Sequence, residues 1–265
     1  MNNKVENRRR EISRLIRDEG EVTVTDMASR FGVTMETIRG DFDYLAEQEG
    51  FVRGHGNLVR EEKKKYSEHY LFHERQLLQK EEKQQICKKA AQLIADGDCI
   101  YLDSGSTVTY LLPELTEKKG LTIVTNSIAC LFCYIMEGYP EAYKEQGHRF
   151  LFLGGEVDPN IRMTYGTFFE QCVTEVSYDK LFFSTDALDM EFGCSNVDYQ
   201  AYSAIKPVLR QVQNRILLAD SGKFNLKAAY RVAGWKEIDF LITAGELKED
   251  WRLFLDNRHI TYYLT

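Results

Sequence analysis

No run of about 18 apolar residues occurs in this 265-residue chain, so nothing in it reads as a membrane span. The opening Met1-Asn2-Asn3-Lys4-Val5-Glu6 carries no apolar export segment, and export is not expected. Cysteine is sparse: six in a chain of this length do not make a disulfide framework, and a reducing cytoplasm is the expected location. Positive charge has no excess either. The 34 Lys and Arg against 41 Asp and Glu leave a net of −7, which excludes a basic coat but not a local basic patch. Neither a Walker A run nor G-x-G-x-x-G is present, so nucleotide binding of those kinds has no support and no cofactor is expected.

What is present is enough for two domains. Apolar residues make up 43% of the chain, which builds a proper core and excludes wholesale disorder. Residues 1–60 hold 10 Lys and Arg against 11 Asp and Glu, so the first part is not basic as a whole. Within it, however, Arg8, Arg9, Arg10, Arg14 and Arg17 crowd one short stretch. Residues 5–19 have the apolar spacing of a helix, with Val5, Ile12, Leu15 and Ile16 on one side and Gly20 at its end. Two more helices are predicted over 25–31 and 34–47, broken at Gly32, followed by a hairpin of 51–53 and 57–59 around Gly54-His55-Gly56. This gives a first domain over 1–59. The run Arg60-Glu61-Glu62-Lys63-Lys64-Lys65 opens a charged linker placed at 60–75.

From residue 76 the pattern changes. A long helix is expected over 76–96, ending at Asp96-Gly97. Apolar strand-like runs at 99–102, 121–124, 150–153, 180–184, 215–219 and 238–242 then alternate with helical ones, which predicts an α/β domain with a mostly parallel sheet over 76–265. A polar, Gly-containing insertion at 138–149 fits neither pattern.

Ala28, Gly32 and Ile38 carry the offsets of a helix-turn-helix: a small residue at the helix crossing, a turn residue tolerant of positive φ, and an apolar residue facing back from the second helix. Thr34 is placed to cap that second helix. Its outward positions would be Thr34, Met35, Glu36, Thr37, Arg39 and Gly40, the surface that enters the major groove in this motif. Arg39 would reach a phosphate or a guanine edge, and the threonines phosphates or bases. The hairpin, with Arg53 and His55, would be a wing on the DNA backbone, and the basic cluster led by Arg8, Arg9 and Arg10 would neutralise phosphates. The bland alternative is a three-helix interaction module that never meets DNA.

In a parallel sheet, ligands bind beyond the carboxyl ends of the strands. Five such ends carry small polar residues: Asp103-Ser104-Gly105-Ser106-Thr107, Thr125-Asn126-Ser127, Gly154-Gly155, Thr185-Asp186 and Asp220-Ser221-Gly222-Lys223. Each alone is a common turn; together they outline one edge. Ser104 to Thr107 precede a helix, where hydroxyls, close backbone approach at glycine and unpaired N–H groups make a phosphate site. Lys223 would add a point charge, and Asp103, Asn126 and Asp186 would bond sugar hydroxyls.

Cys130-Leu131-Phe132-Cys133 has zinc-like spacing without a matching second pair and reads as core. His69 and His73, one turn apart without an evident carboxylate partner, read as a polar linker face, so no metal is expected. Phe168-Phe169 and Phe182-Phe183 read as core or subunit contacts.

The runs Gly20 to Val24, Met27 to Thr34, Thr37-Ile38-Arg39-Gly40-Asp41-Phe42 and Arg53-Gly54-His55-Gly56 resemble the DeoR family of bacterial transcriptional regulators. So do Asp103-x-Gly105-Ser106-Thr107, Thr125-Asn126-Ser127, Leu153-Gly154-Gly155 and Ala219 to Phe224, with Lys206 resembling a lysine in the helix before the last of these motifs. The resemblance covers nearly the whole chain. It implies a winged helix-turn-helix ahead of a sugar-phosphate-sensing domain with the fold of ribose-5-phosphate isomerase. It departs at Gly40, where the family has a second arginine, at Asn57 in the wing, at Ser184 and Ala187 flanking Asp186, and at Tyr202, where an acid is common.

The reading that results is a DNA-binding regulator, expected to repress, whose grip on double-stranded operator DNA is changed by a phosphorylated sugar or related metabolite. It is expected to act as a homo-oligomer, dimer or tetramer, joined through the α/β domain, with no catalytic residues and no membrane partner. One rival is a sugar-phosphate isomerase with an appended DNA reader, for which Asp103, Asp186, Asp189, Glu191 and Asp220 offer carboxylate bases. The other is a two-domain scaffold.

Overall fold

The computed structural model describes residues 3–19, 21–49, 51–54, 56–59 and 72–265. The chain divides into two compact units, Met1–Lys65 and Tyr66–Thr265, with the division inside the stretch read as a linker. Most of that stretch, 60–71, lies outside the described residues.

The smaller unit holds α1 (Asn3–Glu19), β1 (Glu21–Thr23), α2 (Val24–Phe31), α3 (Met35–Glu49), β2 (Val52–Arg53) and β3 (Asn57–Val59). Ile12, Leu15 and Ile16 of α1 meet Met27 of α2 and Ile38, Phe42 and Leu45 of α3 in one core, closed by Phe51 and Leu58 of the hairpin. Thr23 caps α2 by accepting the Asp26 N–H. The hairpin gains a third strand the sequence did not suggest: β1 pairs antiparallel with β3, giving the order β1-β3-β2. A three-residue strand of Glu, Val and Thr is too short for periodicity to register.

In the larger unit, α4 (Phe72–Leu77) and α5 (Lys80–Ala91) replace the one long helix expected over 76–96. The break is at Gln79, whose φ of 46° is left-handed and cannot continue an α-helix. Seven strands then form a fully parallel sheet: β4 (Cys99–Leu102), β5 (Thr122–Thr125), β6 (Arg149–Phe152), β9 (Lys180–Phe183), β12 (Asn214–Ala219), β14 (Phe240–Thr243) and β15 (Thr261–Leu264). Six correspond to the predicted runs; β15, at the sheet edge, is half exposed and shows no apolar run.

Alternation along the strands feeds two cores. Tyr101, Leu181, Phe183 and Leu217 point to one face, and Ile100, Leu102, Phe182, Ile216 and Leu218 to the other. The second face is covered by α5, a 3₁₀ helix (Val108–Leu115), α6 (Ile128–Met136) and α7 (Tyr139–Glu145). The unplaced insertion is therefore α7, anchored by buried Tyr143, whose hydroxyl donates to the Leu112 carbonyl. The first face is covered by α8 (Thr167–Thr174), α9 (Tyr199–Gln211) and α10 (Glu249–Asn257). Two small antiparallel additions complete the unit: the hairpin of β7 (Glu156–Asp158) and β8 (Met163–Tyr165), and a sheet of β10 (Ala187–Asp189), β11 (Gly193–Asn196) and β13 (Tyr230–Ala233).

The strand order, β15-β14-β12-β9-β4-β5-β6, fixes where a site can form. From β4 the chain winds outward through β5 and β6, then returns to the other side at β9. The loops after β4 and β9 thus leave neighbouring strands in opposite directions, and a crevice opens between them at the carboxyl edge. Among the described residues no helix is long and apolar enough to cross a membrane, and all six cysteines are unpaired thiols.

Candidate functional site

In the smaller unit the turn between α2 and α3 is built as a helix-turn-helix requires. Gly32 closes α2 in the left-handed region (φ 62°, ψ 38°), and its N–H returns to the Ala28 carbonyl. Thr34 accepts from the Thr37 N–H at 3.3 Å and its hydroxyl meets that of Thr37 at 2.9 Å, so α3 starts with a capped end. Ile38 is fully buried, while Thr34, Met35, Glu36, Thr37, Arg39 and Gly40 are exposed on one face of α3. Arg39 rests on Glu36 at 3.0 Å, both open to solvent.

The basic cluster divides. Arg8 and Arg9 of α1 grip the two carboxylate oxygens of Asp41 on α3 at 2.5 and 2.7 Å, and Asp41 is 2% exposed. Arg9 also stacks over the Tyr44 ring at 3.8 Å. This corrects the expectation of a row of arginines standing out for phosphates: two of them tie the first helix to the recognition helix because a buried carboxylate must be paired. Arg10 is exposed. Arg53 of the wing sits on Asp43 at 2.7 Å, and His55 lies outside the described residues.

In the larger unit the crevice between β4 and β9 is a cleft lined by Asp103, Ser104, Gly105 and Ser106 after β4, by Ser184, Thr185 and Asp186 after β9, and by Lys223 after β12. Six of the expected residues are thereby brought together: Asp103, Ser104, Gly105, Ser106, Asp186 and Lys223. The element following the first loop is a 3₁₀ helix rather than an α-helix, with the Val108 N–H on the Gly105 carbonyl and Pro113 inside it. Proline has no N–H to give to an α-helical ladder.

The remaining expected residues do not line the cleft. Thr107 is buried, its carbonyl taken by the Cys87 thiol. Thr125 donates to the Leu102 carbonyl, and Asn126 bridges Tyr101 and Thr164. Ser127 caps α6. These three brace the β5 end against its neighbours, a role their small polar side chains fill equally well. Gly154 and Gly155 are exposed, Gly155 passing so near the Tyr165 carbonyl that a Cβ would lie 2.4 Å from it. Lys206 donates to the Val232 carbonyl at 2.9 Å and holds β13 to α9. Cys130 is core and Cys133 half buried; His69 lies outside the described residues.

In and beside the cleft stand groups that the sequence did not single out. Arg75 of α4 reaches Asp186 at 3.4 Å. Lys83 of α5, 2% exposed, donates to the Arg75 carbonyl and lies 3.4 Å from the Ser106 hydroxyl. Asn196 receives the Asp186 N–H on its side-chain oxygen, and Asp198 caps α9 at the rim. Arg75 falls in the stretch read as linker and Lys83 in the helix expected over 76–96; no local signal marks a lysine as buried when its helix is otherwise polar.

Burial sets the electrostatics. Loss of water pushes the Asp103 carboxyl up to about 7; the Asp186 charge adds to this, while N–H groups of Ser104 and Ser184 oppose it. Loss of water pulls Lys83 down to about 8, with Asp220 resisting and Lys223 and Arg75 assisting. Lys223 is lowered for the same reason, with Asp220 and Asp186 resisting. Three cationic side chains crowded by burial and mutual repulsion would all gain from an anion, and the carboxylates beside them accept hydrogen bonds from hydroxyls.

A winged helix-turn-helix joined to an α/β unit with a polar cleft at its topological switch point defines a two-part regulator: a reader and a sensor. Residues 8–64 match the profile of the DeoR-like helix-turn-helix domain and residues 78–244 that of the DeoR C terminal sensor domain, so the chain belongs to the DeoR family of transcriptional regulators. It is 23% identical over 254 residues to the HTH-type transcriptional regulator IolR of Bacillus subtilis, spanning 96% of this chain and 97% of that one. It is 23% identical over 232 residues to the glycerol-3-phosphate regulon repressor of Escherichia coli K12, spanning 88% of each. Among solved structures it is similar to ribose 5-phosphate isomerase from Plasmodium falciparum, at 18% identity and a TM-score of 0.36 over 54% of this chain and 52% of that one.

Proposed function

We propose that this regulator is a repressor that holds operator DNA through the exposed face of α3 and responds to a phosphorylated sugar or related polyol phosphate in the cleft of the larger unit. The observation that carries the effector reading is that Arg75 and Lys223 line one cleft with the Ser104–Ser106 loop, Asp103 and Asp186, and that Lys83 lies 3.4 Å from the Ser106 hydroxyl. Cations meet a phosphate; carboxylates meet hydroxyls. A plain sugar offers the cations no added negative charge and is expected to bind more weakly. The regulator works in the compartment of the chromosome, and relatives that span most of the chain are named as regulators, which favours sensing over turnover.

The active species is a homo-oligomer. Phe168 is 77% exposed, and α6 presents Phe132, Ile135 and Met136 to solvent without a charged residue among them, the kind of surface that subunit contacts cover. Two readers then meet a palindromic operator with half-sites a whole number of turns apart. An effector shifts operator affinity only by the difference in its affinity for the two arrangements.

A gel shift with the DNA upstream of the protein's own coding region tests the reader; failure of any salt-sensitive shift with folded protein refutes it. A thermal-shift screen of pentose and hexose phosphates against the free sugars tests the sensor, with Lys223→Ala as the control expected to lose the response. Asp103, held at about 7, also suits a general base, which keeps an isomerase reading testable. Aldose–ketose turnover that vanishes in Asp186→Asn would establish it.

A further inference from the structure

We propose that Arg75 binds the effector's phosphate and converts occupancy of the cleft into movement of α4. This rests on the reading of the cleft as a phosphate site. Two of the buried side-chain atoms left without a hydrogen-bond partner among the described residues are Arg75 Nε and Thr185 Oγ1, and both residues line this cleft. A guanidinium with one edge unsatisfied and the other on a long 3.4 Å contact to Asp186 is poised for a better acceptor. A phosphate offers that acceptor bidentately, with more charge than one carboxylate.

The main chain of Arg75 is held by the same machinery. Its carbonyl accepts from Lys83 Nζ and, at 3.4 Å, from the Ser106 hydroxyl. Ser106 is a donor that a phosphate in the cleft would recruit, and Lys83 lies 3.4 Å from its hydroxyl. Among the described residues Arg75 thus meets Asp186 through its side chain and Ser106 and Lys83 through its carbonyl, and the first two line the cleft. Arg75 is itself part of the cleft wall, and it is the part held by replaceable bonds. Once it lets go of Asp186 and of Lys83, the end of α4 keeps Gln76 on Thr109 and Tyr110 but loses its ties to the cleft floor. In the sequence α4 directly follows 60–71, the stretch that leads back to the reader, so the helix that registers the ligand is the first one after that stretch.

The test uses the full-length chain titrated with inorganic phosphate and with glucose 6-phosphate, followed by calorimetry and by hydrogen exchange at residues 72–78. In the wild type, saturation is expected to speed exchange of the Leu78 amide, which is bonded to the Glu74 carbonyl. Arg75→Gln is expected to weaken binding at least about tenfold and to leave α4 exchange insensitive to ligand. Arg75→Lys, keeping the charge without the fork, is expected to fall between the two. Asp186→Asn, removing the competing carboxylate, is expected to bind inorganic phosphate more tightly. Binding by Arg75→Gln within twofold of the wild type, or unchanged α4 exchange on saturation, overturns the proposal; loss of binding in Lys223→Met at the same time leaves the phosphate site standing. If neither probe binds the wild type, both the site and the proposal fall.

Discussion

Gly105 and Ser184 touch across the mouth of the crevice: a Cβ built on Gly105 would lie 3.0 Å from the Ser184 Cβ. The loops after β4 and β9 are thus packed to the limit at this point, and the spacing of the cleft depends on it. Gly105→Ala is expected to destabilise the larger unit by about 1 to 3 kcal/mol, the usual cost of overpacking, and to weaken phosphate binding by pushing Ser106 away from Lys83. Ser184→Gly in the same chain should restore both. Urea melts and calorimetric titration of the two variants check this; an unaltered Gly105→Ala would mean that the loop relaxes freely.

Asp103 makes stability depend on pH in a defined window. Its carboxyl is held at about 7 in the fold against an ordinary value near 4, so its protonated form is the one the fold favours. The contribution is whole below about pH 4, declines by about 1.4 kcal/mol per pH unit as pH rises toward about 7, and is lost above it. Asp103→Asn, which keeps the size and an acceptor oxygen, is expected to remove that decline. Unfolding free energies of both proteins measured between about pH 4 and 8 should converge at the acid end and separate toward neutrality, the variant being the more stable.

The pairing of Arg8 and Arg9 with buried Asp41 makes a separate prediction for the smaller unit. Asp41→Ala leaves two cations, one only 13% exposed, without their counter-charge. The expected cost is about 2 to 3 kcal/mol, below that of a fully enclosed pair because water reaches Arg9. Hydrogen exchange should accelerate across α1 and α3 and leave the seven-stranded sheet unaffected. Equal protection in both proteins would show that the arginines are held by something else.

Gly40 and Arg39 sit side by side on the exposed face of α3 and should respond in opposite ways. Among the described residues nothing beyond its chain neighbours and its own helix backbone lies within 4 Å of a Cβ on Gly40, and its backbone is helical, so Gly40→Ala is expected to stabilise the smaller unit by about 0.5 to 1 kcal/mol. Gly40→Arg should add one phosphate contact and steepen the salt dependence of DNA binding by about one unit of slope. Arg39→Ala should flatten it by a similar amount. Gel shifts at a series of salt concentrations read both slopes.

The helix-turn-helix was legible in the sequence because its constraints are local. Ala28, Gly32 and Ile38 act through a turn of a few residues, where spacing alone decides which side chain is buried and which φ is needed. The alternation of strands and helices was legible for the same reason: strands buried on both faces carry continuous apolar runs. Strand β15, half exposed at the edge, and the break at Gln79 gave no such signal. Nor did the arginines: whether Arg8 serves a phosphate or Asp41 depends on a helix 33 residues away.

Sequence alone pointed to a helix-turn-helix reader in one part and to polar loops at strand ends in another. Only the tertiary structure decided which loops share a crevice. It took Asp103 to Ser106, Asp186 and Lys223, set Thr125, Asn126 and Ser127 to bracing β5, brought in Arg75 from the stretch read as linker, and set Lys83 beside Ser106. The reason is the strand order. The loops after β4 and β9 meet because their strands flank the point where the winding reverses, Lys223 reaches the same crevice from the next strand, β12, and that neighbour relation is set by packing across the whole sheet.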